Sequence, residues 1–338
     1  MTDASPRSPR PWRDLTDPRR TADADVLEAG LKEPEFENLS IPEELGTVRV
    51  LVDDHKIKRF AFTQDDHSPW HLHRSPFDGQ RIAHAALLGN DLVQLFTLVY
   101  AASKVVGYHT EEQMWFDSPA VLDETVTLTG RYTEAYRRRG QGYVVMDARA
   151  TGEDGRSIVR HRGVEILRTD PGAIGGRGSA SPERRVAGEV ADDARVVTAL
   201  DAEVRPGDVL APLHKTVTAE QAAVFSRVGE YVRNIHNDIG VARAGGLRAP
   251  IVQGQQQFGV LAQLLSLRFG SAFFTSGWLR VKFLAPLEVF EPFVSTGVVT
   301  AVTPVDSGLR IDLEVWVRRE SDGRLMTAGW ACATVPAS

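Results

Sequence analysis

The chain has 338 residues, of which 42% are hydrophobic and 25% are charged, a composition typical of a globular protein long enough for two domains. Its formal net charge of -6 argues against a nucleic-acid-binding protein, which usually presents a basic surface. The single cysteine, Cys332, excludes an intrachain disulfide and a thiolate metal cluster.

The N-terminal residues 1–23 are polar and rich in Pro and Arg, so we predict that they are disordered. They lack the apolar core of a signal peptide. The longest apolar stretches, near 82–102 and 258–265, are interrupted by polar residues, which argues against membrane spans. We therefore expect a cytoplasmic protein that binds neither membrane nor nucleic acid.

A segment of low hydrophobicity divides the chain. Residues 170–197 are rich in Gly, Ser, Pro and charge, which is typical of a linker. We predict an N-terminal domain over residues 24–169 and a C-terminal domain over 198–338, here called the first half and the second half.

The two halves repeat one order of elements. After a turn and a short strand, each has an amphipathic segment that contains Phe near its end, HKIKRFAF at 55–62 and AEQAAVFS at 219–226. A polar loop with His follows, DDHSPWHLH at 65–73 and YVRNIHND at 231–238. The repeat predicts that the two loops occupy equivalent positions in the fold.

Each loop leads into a long apolar stretch, 79–102 and 252–270, which predicts a helix buried on most sides. Alternating strands follow, and the Asp-Gly pairs at 154–155 and 322–323 are strong hairpin signals. A buried helix followed by a meander of strands predicts an α+β fold, in which a curved antiparallel sheet wraps one long helix, built twice.

On these loops and helix starts, the chain resembles the MaoC-like, or type 2 (R-specific), enoyl-CoA hydratase family in its double-hotdog form, over roughly residues 40–168 and 203–336. The family's loop carries an Asp, a variable residue, Asn-Pro, an apolar residue and a His. A segment like PIVHG then opens the central helix. The resemblance implies two hotdog domains and a hydro-lyase acting on 2-enoyl or 3-hydroxyacyl thioesters of CoA or acyl carrier protein.

The same resemblance bears on cofactors and partners. Hydration of an enoyl thioester needs neither a metal nor an organic cofactor, and the thioester itself is the partner molecule. The histidines show no spacing such as H-E-x-x-H that would suggest zinc. One chain supplies two hotdog domains, so a homodimer is an option and not a requirement.

In the first half, Asp66 and His71 keep the family's spacing, while Ser68 replaces Asn. An Asp–His pair on one loop can activate water and protonate the alpha carbon, so the resemblance implies a catalytic pair. Both residues could instead be ordinary turn residues. At the helix start, His84 precedes Ala85, which stands where Gly is expected.

In the second half, His236 is kept, but Tyr231 occupies the position of the catalytic Asp. Tyr can donate a hydrogen bond but is a poor base at neutral pH. Asp238 follows His236, and we expect it to cap a short helix first and to assist His236 only second. His236 could itself be a loop residue before that cap.

The second helix start, PIVQG, is complete, with Gln253 at the position of His84 and Gly254 at that of Ala85. The resemblance implies that backbone N–H groups there hold the thioester carbonyl, since helix N-termini favour developing negative charge. Gln253 and His84 could contact a ligand or only satisfy nearby backbone. Gly254 could simply let the helix pack closely.

Three hypotheses of function remain open. The first is a hydratase or dehydratase of acyl thioesters. The second is an isomerase, dehydratase or cyclase of a specialised pathway that uses Tyr231 and His236 as a donor pair. The third is a non-catalytic thioester-binding scaffold. Asp66 and His71 form the more complete acid–base pair, which favours the first loop slightly.

Overall fold

The computed structural model describes residues 27–105, 107–138, 140–167, 186–226 and 233–337. The predicted disordered N-terminus, most of the predicted linker and Tyr231 lie outside the described residues.

A 12-stranded sheet runs through both halves. The strands of the first half are β1 (Glu43–Val52), β2 (Tyr108–Phe116), β3 (Glu124–Arg138), β4 (Gln141–Thr151) and β5 (Ser157–Leu167). Those of the second half are β6 (Val196–Val197), β7 (Val209–Leu210), β8 (Leu213–Lys215), β9 (Gly277–Phe283), β10 (Phe293–Val305), β11 (Gly308–Arg319) and β12 (Leu325–Val335).

The strand order is β1-β3-β4-β5-β2-β9-β12-β11-β10-β7-β6, and β8 pairs with β10. Each half contributes the same antiparallel series, β3-β4-β5-β2 in the first and β10-β11-β12-β9 in the second. The halves meet where β2 pairs with β9, from Glu111 opposite Lys282 to Phe116 opposite Gly277. This seam makes the two sheets one continuous surface.

The helices lie against this sheet. In chain order they are α1 (Asp54–Gln64), α2 (Pro69–Leu72), α3 (Leu87–Val93), α4 (Ala219–Phe225), α5 (Ile239–Ala244), α6 (Gly254–Phe269) and α7 (Ala272–Ser276). Short 3-10 turns cover Phe36–Asn38, Gln94–Leu98 and Ala102–Lys104. Each of these helices is too short or too polar to cross a bilayer, a statement that holds for the described residues.

The two central helices differ in length. The predicted long buried helix is confirmed in the second half, where α6 is buried along most of its length. The prediction is wrong for the first half, where α3 covers only Leu87–Val93 and continues as a 3-10 turn. Ile82, before it, bridges Val121 in extended conformation, and the aromatic and β-branched residues between Phe96 and Tyr100 are weak helix formers.

The Asp-Gly hairpins are confirmed. Gly155 joins β4 to β5 with a φ of 83°, and Gly323 joins β11 to β12 with a φ of 68°. Glycine adopts this left-handed conformation without steric cost, which is why the pair marks a turn.

Both halves share one hydrophobic core. A smaller cluster lies on the second half, where Val186 packs with Trp316 and Ala328. Val196 and Val197 form β6 beside β7. The C-terminal part of the segment predicted as a linker therefore packs on the second half.

Candidate active site

The loop after α1 turns back on itself at Asp66. Asp65 ends the helix in left-handed conformation, with φ 48° and ψ 46°, and the Asp66 N–H donates to the Ala61 carbonyl at 2.9 Å. Asp66 Oδ1 accepts the Ser68 N–H at 3.1 Å. Pro69 then starts α2, whose single turn brings His71 back towards Asp66.

Three buried polar side chains meet at this loop. His71 Nε2 lies 3.4 Å from Asp66 Oδ2, and His84 Nε2 lies 3.6 Å from the same oxygen. The two imidazole rings are 5.6 Å apart. Asp66, His71 and His84 are each no more than 4% exposed. The predicted pair is therefore brought together, and His84 joins it from the helix start.

The backbone determines which ring nitrogens carry protons. The Ile82 carbonyl accepts from His71 Nδ1 at 3.0 Å, so Nδ1 is protonated and Nε2 faces Asp66. In His84 the order is reversed, because Nδ1 accepts the Ala86 N–H at 3.1 Å. His84 therefore presents a protonated Nε2 to the carboxylate when its ring is neutral.

The cluster holds a charged carboxylate beside a neutral His84. Burial alone would raise the pKa of Asp66, but the hydrogen bond to His71 and the electrostatic interaction with the His84 and His71 rings hold it well below the usual carboxyl range. Burial lowers the pKa of His84 to about 3, although the Asp66 charge opposes this shift. At neutral pH, Asp66 is ionised and can stabilise a positive charge on His71.

Replacing His84 by Gln is expected to make stability less sensitive to acid. The pKa of His84 is about 3 in the folded chain and 6.5 for an ordinary histidine, so below pH 6.5 the unfolded chain binds a proton that the folded chain does not. Stability should fall as the pH drops from 6.5 towards 3, and less steeply in the variant. Urea unfolding midpoints at about pH 7.5 and about pH 5 would measure this. An unchanged pH slope would contradict it, and His214→Gln, at an exposed histidine, is the control.

The space beside the cluster is nearly closed. A cavity of about 10 Å³ lies against His84 and Ala85 and is walled by Phe116, Ile158 and Phe274. This volume holds about one water molecule. Phe274 comes from the second half and contacts Trp70 and Phe77, with ring centroids 6.0 Å from each. An acyl chain would require these rings to move.

The predicted carbonyl-binding site at Ala85 borders this cavity. Ala85 lies in the turn before α3, and the N–H of the next residue, Ala86, is already used by His84 Nδ1. The Leu87 N–H donates to the His84 carbonyl at 2.9 Å. Ala85 is therefore the residue of this turn whose N–H can serve a bound carbonyl.

The second loop repeats the same backbone frame. His236 Nδ1 donates to the Ile251 carbonyl at 2.8 Å, as His71 Nδ1 does to Ile82. The residue before each histidine accepts the N–H of the same isoleucine, Trp70 from Ile82 and Ile235 from Ile251, both at 3.0 Å. The internal repeat thus extends to individual hydrogen bonds.

The first loop has a carboxylate, Asp66, beside its histidine. The described part of the second loop has no residue at the equivalent position. Asp238 caps α5, since its Oδ1 accepts the Val241 N–H at 3.0 Å and its Oδ2 pairs with Arg233 at 2.6 Å. His236 is only half-buried, yet desolvation lowers its pKa to about 4. Tyr231, at the position of Asp66, lies outside the described residues.

The second helix start is closely packed. A Cβ on Gly254 would lie 2.9 Å from the Phe283 ring, so glycine here lets α6 begin against β9. Gln253 is the N-cap but its side chain makes no capping bond; its carbonyl accepts the N–H groups of Gln256 and Gln257. The packing hypothesis for Gly254 therefore has direct structural support.

Solved structures resemble this arrangement, although no protein-family model and no curated protein matches the chain. A structure described as a MaoC-like dehydratase matches with a TM-score of 0.67 at 18% identity, covering 92% of this chain and 100% of that chain. A MaoC-like dehydratase from Phytophthora capsici gives 0.62 at 14% identity, covering 88% and 97%.

A conserved hypothetical protein from Mycobacterium tuberculosis, described as having a double hotdog fold, gives a TM-score of 0.61 at 15% identity. That match covers 89% of this chain and 98% of the other. This chain has a double hotdog fold. The prediction of fold class made from the repeat and the loop motifs is confirmed.

Within the double hotdog fold, a second buried polar cluster lies near the seam, and the sequence did not predict it. Glu112, on β2, accepts from His109 Nε2 and approaches His161 Nε2, each at 2.9 Å, and Gln255 Nε2 donates to it at 2.5 Å. Glu112 is fully buried.

Both loop histidines, His71 and His236, are bonded to the segment that precedes a central helix, at Ile82 and Ile251. No group of three or more His, Cys, Asp or Glu within the described ranges is arranged to hold a metal ion. The first half presents a buried cluster of titratable side chains made of Asp66, His71 and His84.

Proposed function

We propose that the protein is a hydratase or dehydratase of 2-enoyl or 3-hydroxyacyl thioesters, and that the first half carries the chemistry. The observation that supports this most is the buried approach of His71 Nε2 to Asp66 Oδ2, at 3.4 Å. The resemblance of the fold to MaoC-like dehydratases supports the same reaction class. The carrier, CoA or acyl carrier protein, is part of the substrate.

The proposed reaction adds water across the enoyl double bond. His71 Nε2, which carries no proton when Nδ1 donates to Ile82, takes a proton from the water as the water oxygen bonds to the beta carbon. His71 then gives this proton to the alpha carbon, and Asp66, 3.4 Å away, stays ionised and stabilises the imidazolium between the two transfers. Dehydration is the reverse sequence.

The remaining groups support this step by holding charge and geometry. The bond from His71 Nδ1 to the Ile82 carbonyl keeps Nε2 directed at Asp66. The neutral Nε2–H of His84 faces Asp66 and helps to keep it ionised. The Ala85 N–H would donate to the thioester oxygen as it becomes enolate-like.

The nearly closed cavity does not distinguish the hydratase from the scaffold. A cavity of about 10 Å³ does not hold an acyl group, so either function requires Phe274 and its neighbours to move when a thioester binds. The isomerase or cyclase hypothesis depends on Tyr231, which the structure does not describe. It gains no support from the described residues.

The decisive experiment is a hydration assay. Purified full-length protein is mixed with crotonyl-CoA and with longer enoyl-CoAs, and loss of the conjugated thioester absorbance is followed. Turnover with any chain length supports the proposed function. Binding of the thioesters without turnover would support the scaffold instead. If the protein shows no binding and no turnover, both hypotheses are contradicted.

Replacing Phe274 by Leu is expected to shift activity towards longer acyl chains. The ring closes the cavity beside His84 and is only 2% exposed, so a smaller side chain enlarges the space. We expect kcat/KM to rise about 10-fold for a chain one carbon longer relative to crotonyl-CoA, since one extra methylene that finds room is worth about 1–3 kcal/mol. An unchanged ratio would show that the acyl chain does not pass Phe274. Phe273→Leu, on the same helix, is the control.

A further inference from the structure

The backbone that leads into Asp66 is held by the other half of the molecule. Four consecutive carbonyls, those of residues 62–65, accept hydrogen bonds from second-half side chains. Gln221 Nε2 donates to Phe62 at 2.9 Å and Gln256 Nε2 to Thr63 at 2.8 Å. Lys215 Nζ donates to Gln64 at 2.9 Å and to Asp65 at 2.6 Å. We call the donors Lys215, Gln221 and Gln256 the carbonyl clamp.

These carbonyls end α1, where the last turn of a helix leaves carbonyls without intrahelical partners. Phe62 also accepts the Asp65 N–H at 3.2 Å. Water or a local turn usually satisfies such groups. Here the donors come from β8, α4 and α6, three separate elements of the second half. Gln256 is fully buried, and the Lys215 side chain is 9% exposed. The bond from Gln256 is buried, and a buried hydrogen bond is costly to break, so it holds the end of α1 in place.

The donors are themselves held rigidly. Gln221 closes a capping box with Thr218 through both side chain and backbone. Lys215 is paired in the sheet opposite Phe293. Gln256 lies in the first turn of α6, the long buried helix. The clamp therefore fixes the end of α1 relative to the second half.

The Asp66 loop begins at the next residue after the clamped carbonyls. Asp65 turns the chain in left-handed conformation, and Asp66 follows with its N–H on Ala61. The direction of the Asp66 side chain is thus set by the backbone that the clamp holds. The Lys215 ammonium also lies 3.6 Å from the Asp65 carboxylate, at the negative end of α1.

We propose that Lys215, Gln221 and Gln256 are positioning residues, supplied by the second half, which fix Asp66 against His71 in the first. This inference rests on the proposed function for its effect on catalysis. The second half thus takes part in a reaction that occurs at the first loop.

The reverse contact is weaker among the described residues. At the end of α4, which is equivalent to α1, the Phe225 carbonyl accepts one bond from the first half, from Asn90 Nδ2 at 3.1 Å. Four carbonyls are held at the end of α1.

The test uses side chains of matched length that cannot donate. Gln256→Met and Lys215→Met each remove part of the clamp. Gln257→Met is the control for the first, because Gln257 is the buried neighbour whose partner is Thr327. Arg268→Met is the control for the second, because Arg268 also donates to backbone carbonyls, those of Thr198 and Ala211 in its own half.

In the hydration assay, both clamp variants should lower kcat by about 10- to 100-fold with KM changed less than about 2-fold, since a misplaced catalytic group costs rate and not binding. Lys215→Arg should restore most of the loss, because it keeps a charged donor. The two controls should keep the wild-type kcat. A wild-type kcat in the clamp variants would overturn the inference.

Deuterium exchange of residues 61–72, followed by mass spectrometry without substrate, separates this inference from the proposed function. Exchange there should be about 10-fold faster in the clamp variants than in the controls. If the wild-type protein hydrates no thioester, the proposed function fails, and the positioning role is then tested by deuterium exchange alone. Equal exchange in clamp and control variants would then overturn the positioning role.

Discussion

Replacing Asp66 by Asn, or His71 by Asn, is expected to lower kcat for enoyl-thioester hydration by about 10²- to 10⁴-fold, the usual contribution of a general acid or base. Asn at 66 keeps the size of the side chain and can still accept the Ser68 N–H, but it has no negative charge to stabilise a protonated His71. Asn at 71 keeps a donor near the Ile82 carbonyl and loses the proton-transfer nitrogen. Steady-state kinetics with the best enoyl-CoA would measure both losses.

The second half offers a closely matched control. His236 makes the same bond to Ile251 that His71 makes to Ile82, at 2.8 Å instead of 3.0 Å. His236→Asn should therefore disturb the fold about as much as His71→Asn and leave kcat near the wild-type value. If His236→Asn removes activity and His71→Asn does not, the chemistry belongs to the second half and our assignment is wrong.

Replacing Glu112 by Gln is expected to lower the free energy of unfolding by about 3–5 kcal/mol, as removal of one partner from a buried ionic cluster usually does. The carboxylate is fully buried and lies 2.9 Å from the Nε2 atoms of both His109 and His161. A neutral amide leaves these rings without the charge that compensates them. Urea unfolding of wild type and variant would measure the difference.

The same cluster predicts a stability maximum in mild acid. Burial would raise the pKa of Glu112, but the His161 charge and the bonds to both histidines lower it, so its contribution is present above pH 4.5 and is lost as the pH falls through the lower folded value. Burial would lower the pKa of His109, but Glu112 raises it, so that contribution is present below pH 6.5 and is lost as the pH rises.

In Glu112→Gln both limbs of this pH profile should flatten. Glu111→Gln is the control, because Glu111 faces Arg280 near the surface, where such a pair contributes about 0–1 kcal/mol. Equal losses in the two variants would show that Glu112 does not stabilise the buried histidines.

Local sequence signals predicted the repeated frame of the double hotdog fold. The spacing of Asp66 and His71 lies within one turn and a short helix, so the chain itself brings them together. The Asp-Gly hairpins likewise need only local backbone preference. His84 was placed at the helix start by comparison of the two halves, and the structure adds that it faces Asp66.

Long-range contacts could not be predicted in this way. Lys215 reaches carbonyls about 150 positions earlier in the chain, and Gln255 reaches Glu112 across the seam. Neither side chain belongs to a recognisable motif. The partner of Lys215 is a backbone oxygen, and the partner of Gln255 is a residue of the first half. The length of α3 was missed because an apolar composition indicates burial and does not distinguish an α-helix from a 3-10 turn.

The continuous seam of β2 and β9 has a genetic consequence. In an assembly of two identical chains, every substitution appears twice, so both copies of a loop must suit both tasks. Here each copy is encoded separately, and mutation can act on one alone. Asp at 66 and Tyr at 231 can therefore coexist, and contacts such as those of Lys215 need to evolve in only one direction. Joining the copies in one chain thus removes the symmetry that would otherwise keep the two sites alike.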